Sequence, residues 1–173
     1  SFTDVNYGTA VGDSGTILRT TKGGTTWFSQ LHGTTNWLYG ISFIDVDNGM
    51  VVGQNGTILK TTDSGVTWTS QSSGTTHNLN GISYIDIDNG IAAGNFGTIH
   101  KTTNGGISWN VVFDGPSDLL EVAFTDLNNG TVVGLIGTIL RTTNGGIDWI
   151  TQSSGITSWL NSVCFTDINH GTT

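Results

Sequence analysis

Residues Gly49–Trp68 read GMVVGQNGTILKTTDSGVTW, and the pattern of this stretch predicts the fold of the chain. Two short runs of β-branched and aliphatic residues are separated by Gly53-Gln-Asn-Gly56 and followed by Asp63-Ser-Gly65. Clusters of Gly, Asn, Asp and Ser between such runs mark tight turns. An apolar run precedes the stretch and a short polar run follows it. The unit Leu38–Gln71 is therefore predicted to form four short antiparallel strands joined by three tight turns.

The pattern of this unit recurs along the chain, which indicates a repeat protein. An aromatic residue on the first strand returns every 40 or 41 residues, at Phe2, Phe43, Tyr84, Phe124 and Phe165. A Trp near the fourth strand returns at the same spacing, at Trp27, Trp68, Trp109 and Trp149. We predict a single repeat domain over residues 1–173, with repeats at approximately 1–41, 42–82, 83–122 and 123–163 and a partial repeat at 164–173.

The repeat length indicates how the units assemble. One four-stranded sheet cannot bury both faces alone, and stacking against its neighbours completes the core. Units of this length with four strands match the blades of a β-propeller. A β-solenoid is the competing architecture, but its coils are usually shorter and its strands are parallel. The prediction is an all-β fold, a β-propeller-type array of four-stranded antiparallel blades, with four complete 41-residue repeats and the start of a fifth.

The charge balance argues against several classes of partner. The chain has 13 acidic and 5 basic residues and a formal net charge of −8. Nucleic-acid-binding proteins need clustered Lys and Arg, so no nucleic acid partner is expected. An anionic membrane surface is disfavoured for the same reason. Because no apolar run approaches the length of a transmembrane helix, no membrane insertion is expected either.

The composition also bears on cofactors and location. The one Cys excludes an internal disulfide and a multi-Cys metal site. The four His (His32, His77, His100 and His170) show no pairwise metal spacing, so neither a metal nor a cofactor is predicted. Sparse Lys and Glu with abundant Thr, Ser, Asn and Gly favour an exported protein, extracellular or periplasmic.

The turn before each recurring Trp carries a resemblance to a known motif. Thr61–Trp68 and Thr102–Trp109 resemble the Asp-box, or BNR repeat, of sialidase-like propellers, which runs Ser/Thr-x-Asp-x-Gly-x-Thr-Trp. The resemblance implies a structural hairpin in which Asp or Asn bonds the turn and Trp packs between blades. It therefore gives structural roles, not catalytic ones, to Thr61, Asp63, Gly65, Thr67, Trp68, Asn104, Trp109, Asn144 and Trp149.

A longer pattern resembles the repeat of the Ycf48/HCF136 family of photosystem II assembly factors. It runs over Gly8–Trp27 and recurs at Gly49–Trp68, Gly90–Trp109 and Gly130–Trp149. The resemblance covers nearly the whole chain. It implies a photosystem II assembly factor-like chaperone as one alternative function. Similar repeats also occur in secreted bacterial proteins with no photosynthetic role.

No set of residues with the pattern of a catalytic site is evident in the sequence. Sialidases resemble one another in using three Arg and a Tyr/Glu pair, whereas this chain has only Arg19 and Arg141, and one Glu, Glu121. We therefore predict that the chain is not an enzyme and has no catalytic residues. Each complete unit carries one cation on its third strand, and these are Arg19, Lys60, Lys101 and Arg141. They could form a basic ring for an acidic partner, but repeated ion pairs or solvated stems are the favoured interpretation.

Two further motifs have a local explanation. Asp45-x-Asp47-x-Gly49 is similar to a calcium loop, as is its counterpart in the next unit, but no bidentate acid follows. The favoured interpretation is that these Asp and Asn side chains cap the turns. Asn55-Gly-Thr57 and Asn129-Gly-Thr131 fit the N-glycosylation triplet, although Asn-Gly is also expected in turns.

Comparison between the repeats locates a candidate binding face. Positions demanded by turns and core stay fixed, whereas the two residues inside each Gly-x-x-Gly turn and the loop leading into each first strand vary. Both elements lie at one end of a four-stranded meander, so the varied residues should form one rim. The candidate binding residues are Trp37, Tyr39, His77, Asn95, Phe96, Leu135, Ile136 and Trp159. The sequence does not decide whether Trp37 and Trp159 are exposed or are buried under a neighbouring blade.

These patterns predict a non-catalytic β-propeller module that binds or assembles through its variable rim, with a protein or glycan as partner. A structural subunit of an extracellular homopolymeric filament or surface layer is one alternative, and a hydrolase whose catalytic residues lie outside this chain is another. Four units do not make a comfortable ring, since such propellers more often have about five to eight blades. We therefore expect part of a larger propeller or a homo-oligomer. In the oligomer, Phe2–Val11 and Val163–Asp167 would pair across chains.

Overall fold

The computed structural model describes residues 1–31 and 33–173, so His32 lies outside the described residues. The strands form five antiparallel sheets in which neighbours along the chain are neighbours in space. β1–β3 make the first sheet, β4–β7 the second, β8–β11 the third, β12–β15 the fourth and β16–β17 the fifth. The strand bounds are β1 (Gly8–Val11), β2 (Ile17–Thr20), β3 (Phe28–Ser29), β4 (Leu38–Phe43), β5 (Gly49–Gly53), β6 (Ile58–Thr61), β7 (Thr69–Gln71), β8 (Leu79–Tyr84), β9 (Gly90–Gly94), β10 (Ile99–Thr102), β11 (Asn110–Phe113), β12 (Leu119–Phe124), β13 (Gly130–Gly134), β14 (Ile139–Thr142), β15 (Ile150–Gln152), β16 (Cys164–Asp167) and β17 (His170–Thr172).

The predicted all-β array of four-stranded antiparallel blades is confirmed. The predicted unit Leu38–Gln71 coincides with the second sheet, and the third and fourth sheets repeat it. The two outer sheets differ. In the first sheet a single bridge between Phe2 and Gly8 stands where the others have a first strand. The fifth sheet has only two strands.

The alternation of side chains along each second strand explains the stacking. In β5, Met50 and Val52 pack toward the third sheet, whereas Val51 between them packs toward the first. All three are fully buried. A strand alternates its side chains between two faces, so a run that is apolar at every position needs a neighbouring sheet on both sides. The sheets therefore stack like the blades of a propeller.

Four apolar layers, one between each pair of neighbouring sheets, form the core. The layer between the second and third sheets joins Met50, Val52 and Ile58 to Leu79, Ile82, Tyr84, Ala92 and Trp109. Each fully buried large aliphatic side chain contributes about 1.5–3 kcal/mol relative to an exposed one. Trp68 and Trp109 of the Asp-boxes are buried, and Trp149 is partly buried. Their rings fill the layers as the resemblance implied.

The first strands of neighbouring sheets converge. A Cβ on Gly40 would lie 2.9 Å from the Asn80 carbonyl oxygen, and one on Gly81 would lie 2.8 Å from the Cα of Glu121. Contacts this close exclude a side chain at either glycine. The space left at Gly81 accommodates Glu121, and burial there raises the pKa of the Glu121 carboxyl.

The third-strand cations join neighbouring sheets. Arg19 donates a hydrogen bond to the Val46 carbonyl (3.0 Å), and Lys60 donates to the Gly105 carbonyl (2.7 Å). Lys101 makes the matching 2.7 Å bond to a carbonyl of the fourth sheet. Among the described residues none of these cations is in an ion pair with a carboxylate, so that part of the prediction is wrong. A carbonyl of the next sheet lies within reach because the sheets stack in register.

Candidate functional site: the variable rim

The rim consists of the 3₁₀ turn between the second and third strands of each sheet together with the loop leading into the first strand. Backbone hydrogen bonds join the two elements. The Gln54 nitrogen donates to the Trp37 oxygen at 2.8 Å, and the Asn95 nitrogen donates to the Asn78 oxygen at 2.9 Å. The corresponding bond in the fourth sheet also measures 2.9 Å. The structure thus brings the variable turns and the variable loops together at one end of the second, third and fourth sheets.

The tip of each turn has a left-handed backbone. The second turn residue has φ of 52° at Ser14, 56° at Asn55, 58° at Phe96 and 56° at Ile136. Asn tolerates this conformation, but a bulky or β-branched residue does not. Such strain costs of the order of 1–3 kcal/mol. The side chains of Phe96 and Ile136 are 62% and 63% exposed, so burial does not offset the strain.

The Phe96 tip is held by contacts from two sheets. The His77 ring lies 4.7 Å from the Phe96 ring, centroid to centroid. The backbone nitrogen of Phe96 donates a 2.7 Å hydrogen bond to the Asp118 carboxylate of the next sheet. Asn80 donates to the side-chain oxygen of Asn95 (2.8 Å). These contacts fix the exposed ring in one place before any partner arrives.

The loop position before each first strand takes one of two forms. In the third sheet it is Asn78, whose side-chain oxygen accepts a 3.1 Å hydrogen bond from the Asn55 nitrogen. In the fourth sheet Asp118 makes the same kind of bond. Trp37 and Trp159 occupy the equivalent positions of the second and fifth units, and they are 54% and 65% exposed. Neither Trp is buried under a neighbouring blade.

Of the other rim candidates, two are exposed and two are partly buried within the turns. Tyr39 on β4 is 40% exposed, and His77 is exposed beside Phe96. Asn95 and Leu135 are the first residues of their turns and are partly buried. Sequence comparison missed Asn80, which bonds both Asn95 and the Leu119 carbonyl (2.7 Å). A signal existed, because Asn80 stands where the second unit has Tyr39.

The Asp-box carboxylates and amides close their own turns. Asp63 accepts hydrogen bonds from the Thr67 hydroxyl (2.6 Å), the Thr67 nitrogen (2.9 Å) and the Thr61 hydroxyl (2.8 Å). Hydrogen bonds from Thr67 hold the pKa of Asp63 below its ordinary value. In the fourth sheet the amide stands at the first position and the carboxylate at the second, and Asn144 donates a 2.8 Å hydrogen bond to Asp148. All these groups are bound within the hairpins that they stabilise.

The calcium-like loops also bond internally. Asp45 accepts hydrogen bonds from the nitrogens of Asp47 (2.8 Å) and Asn48 (2.7 Å). The Asp126 carboxylate accepts hydrogen bonds of 3.1 and 2.9 Å from the side-chain amide of Asn129, a glycosylation candidate, so that amide nitrogen is already bonded. Asn55, the other glycosylation candidate, is exposed.

A family model described as photosynthesis system II assembly factor YCF48 matches residues 1–110, which is more than half of the chain. The chain belongs to this family. The match reaches from the first sheet to the start of β11. It confirms the resemblance seen in the repeats. No protein of curated description matches the sequence at a significant level.

Solved structures of YCF48 proteins share the fold. A structure described as YCF48 bound to D1 peptide is 16% identical with a TM-score of 0.59, over 98% of this chain and 87% of that one. YCF48 from Cyanidioschyzon merolae is 20% identical with a TM-score of 0.74, over 95% of this chain and 58% of that one. Identities this low show the fold alone.

Other functions occur on the same fold. An ancestral GH74 enzyme is 19% identical with a TM-score of 0.68, over 86% of this chain and 22% of that one. WD40 β-propellers are also among the 83 matching chains. This YCF48-family chain therefore spans only part of several proteins that it resembles.

Two kinds of feature are absent from the described residues. No three His, Cys, Asp or Glu side chains there are arranged to hold a metal ion. None of the described residues belongs to a helix that is long and apolar enough to span a membrane.

Proposed function

We propose that this YCF48-family chain is a non-catalytic protein-binding module that holds a polypeptide segment against its variable rim. The observation that carries the proposal is the pair of strained, exposed apolar tips, Phe96 and Ile136. Ser14 and Asn55 show that the same turn forms with a small or polar residue. The fold does not require Phe or Ile there, and their retention against strain indicates a use outside the fold.

The chemistry of the rim suits a polypeptide. Aromatic rings held in place by neighbouring contacts are the side chains that dominate protein interfaces. Phe96 is fixed by His77 and Asp118, and Trp37 and Trp159 supply two more exposed rings on the same end. The structure of YCF48 with D1 peptide supports a peptide as the ligand class in this family.

A hydrolytic function has less support. The fold is shared with a GH74 enzyme, but a fold by itself does not imply an activity. The carboxylate of Asp63 is committed to turn closure, and the matching positions of the third and fourth sheets are Asn104 and Asn144. Assembly into a filament, export from the cell and pairing of terminal strands between copies remain predictions. Light scattering of the purified chain would reveal large assemblies.

Exchange of the two tips for the residue of the second sheet tests the proposal. The double variant Phe96→Asn, Ile136→Asn places Asn in a left-handed conformation that Asn55 already adopts. We expect an unfolding free energy equal to or above that of the wild type, because strain is relieved. We expect binding of a fluorescent D1 peptide, measured by anisotropy, to weaken by at least about tenfold.

The matched control is Ile150→Thr on the outer strand of the fourth sheet, an exposed position away from the rim, which should leave peptide binding unchanged. Thr69 fills the same position in the second sheet, so the fold tolerates this residue. Equal affinity of the wild type and the double variant would show that the rim is not the binding surface. Failure of the wild type to bind the peptide would count against a D1-like ligand.

A further inference from the structure

The end of the sheets opposite the rim carries a second apolar surface. The second, third and fourth sheets each present two hairpin loops there, the turn between the first and second strands and the Asp-box. Hydrogen bonds place the two loops side by side, with the Ser64 nitrogen donating to the Asp47 oxygen (3.1 Å) and the Gly105 nitrogen donating to the Asp88 oxygen (2.8 Å). We define the aliphatic face as the side chains at the outer positions of these loops, namely Val46, Val66, Ile87, Ile107, Leu127 and Ile147.

Five of these six side chains are exposed and Val46 is partly buried, although nothing in the turns requires an apolar residue there. Val66, Ile107 and Ile147 in the Asp-boxes are 67%, 78% and 63% exposed. Ile87 and Leu127 in the neighbouring turns are 49% and 54% exposed. Asp and Asn side chains close both kinds of turn, so the aliphatic residue contributes only its backbone to the fold. An exposed apolar surface that recurs from sheet to sheet marks an interaction site.

The aliphatic face is continuous across sheets. Lys60 of the second sheet donates to the carbonyl of Gly105, which lies in the same hairpin as Ile107. Lys101 makes the equivalent bond from the third sheet to the carbonyl of Gly145, beside Ile147. Each hairpin is thereby tied to its neighbour, and a partner would meet one surface spanning the second, third and fourth sheets.

Carboxylates surround the aliphatic side chains. Asp45 and Asp126 are exposed, and Asp86 is partly exposed, each next to a residue of the face. Hydrogen bonds from turn donors lower the pKa of Asp45 and Asp126, so both stay ionised in mildly acidic solution. Among the described residues the one contact at ion-pair distance is between Asp167 and His170, and it is an ion pair only when the imidazole is protonated. In the second, third and fourth sheets the loops at this end contain Asp and no Lys or Arg, so their charge is negative. The ammonium groups of Lys60 and Lys101 are bonded to carbonyls of the next hairpin.

We propose that the aliphatic face is a second docking surface, which binds a cationic polypeptide segment bearing aliphatic side chains. Lys or Arg of the partner would neutralise the turn carboxylates while its aliphatic residues cover Val66, Ile107 and Ile147. Charge complementarity selects this occupant, because a nucleic acid or an anionic lipid surface would be repelled. The surface is separate from the rim and does not depend on what the rim binds.

The test uses a short synthetic peptide of Lys and Leu, with one analogue in which Glu replaces Lys and one in which Ser replaces Leu. The protein variant is the triple substitution Val66→Thr, Ile107→Thr, Ile147→Thr, which copies the first sheet's Thr25 into the other sheets. Because the three side chains are exposed and Thr is native at this position, the variant should fold normally. The matched control is Ile150→Thr on the outer strand of the fourth sheet, since Ile150 is exposed, belongs to neither surface and has Thr69 as its counterpart in the second sheet.

We expect calorimetry to show binding of the Lys/Leu peptide that the triple variant weakens by at least about tenfold. Both analogues should bind the wild type at least about tenfold more weakly, and added salt should weaken the Lys/Leu complex. The Ile150→Thr control should bind as the wild type does. Equal affinity of the triple variant, or equal binding of the Glu/Leu analogue, would overturn the proposal. So would association with neutral lipid vesicles in place of the peptide, since the face would then bind lipid.

Discussion

His100 occupies a core position that the other sheets fill with leucine. It lies on β10, where β2, β6 and β14 carry Leu18, Leu59 and Leu140. Its side chain is 1% exposed. The Nε2 atom lies 3.1 Å from the Thr98 hydroxyl, whereas the buried Nδ1 atom has no hydrogen-bond partner. Replacement by the residue of the other sheets, His100→Leu, should therefore stabilise the protein.

The expected gain in unfolding free energy is the difference between the contributions of the two ring nitrogens. Removal of an unpartnered buried nitrogen is worth about 1–3 kcal/mol, and loss of the hydrogen bond to Thr98 costs about 0.5–1.5 kcal/mol. Leucine is apolar and fits the equivalent site in three other sheets, so we expect little packing strain. The net expectation is a gain of about 1 kcal/mol. For a chain of this size that raises the melting temperature by roughly 2–4 °C.

The same residue makes stability depend on pH. Burial lowers the pKa of His100, the nearby His77 acts in the same direction, and Asp114 opposes them. Below about pH 6.5 the unfolded chain gains a proton at this imidazole that the folded chain does not hold. Stability conferred by the neutral ring is thus complete above that pH. It falls as the pH decreases toward the folded pKa, by at most about 1.4 kcal/mol per pH unit.

Urea unfolding followed by tryptophan fluorescence at several pH values between neutrality and pH 5 measures both effects. The His100→Leu variant should be more stable than the wild type throughout, with the difference growing toward low pH. The reverse substitution Leu59→His is the matched control, and it should destabilise the second sheet in the same pH-dependent way. A His100→Leu protein that is less stable, or that keeps the wild-type pH dependence, would refute the argument.

Three further changes test the packing between sheets by thermal unfolding. Trp68→Ala removes a ring that is 8% exposed and should lower the unfolding free energy by about 3–5 kcal/mol. Trp27→Ala removes a ring that is 38% exposed and should lower it by less. Equal losses in the two variants would contradict the stacking of the sheets. Gly81→Ala places a Cβ 2.8 Å from the Cα of Glu121 and should cost about 1–3 kcal/mol or more. Lys101→Met removes a 2.7 Å bond to a carbonyl of the next sheet and should cost about 1 kcal/mol, and no loss would show that this link adds nothing.

Much of the fold was predictable because its signals are local. The turn residues around Gly53 and Asp63 and the alternating apolar runs between them placed the strands of the unit Leu38–Gln71. Repetition of that unit then predicted stacked sheets, since one sheet leaves both apolar faces uncovered. The Asp-box roles were predictable for the same reason, because Asp63 bonds residues within four positions of itself.

The rim was predictable only in part. Variation between repeats identified Phe96 and Ile136, but not the left-handed backbone that strains them, because φ follows from the turn geometry and not from residue type. The exposure of Trp37 and Trp159 was left open by the sequence, since a large aromatic residue in a loop fits either a surface or a core.

What the sequence alone determined is the content and order of the strands, the structural role of the Asp-boxes and the family resemblance. The contacts that appear only in the folded protein join residues about 40 positions apart. The ammonium of Lys60 finds the Gly105 carbonyl, and Gly81 makes room for Glu121, only after neighbouring sheets have stacked in register. Spacing within one repeat carries no information on such contacts, because their geometry is set by the distance and angle between two sheets.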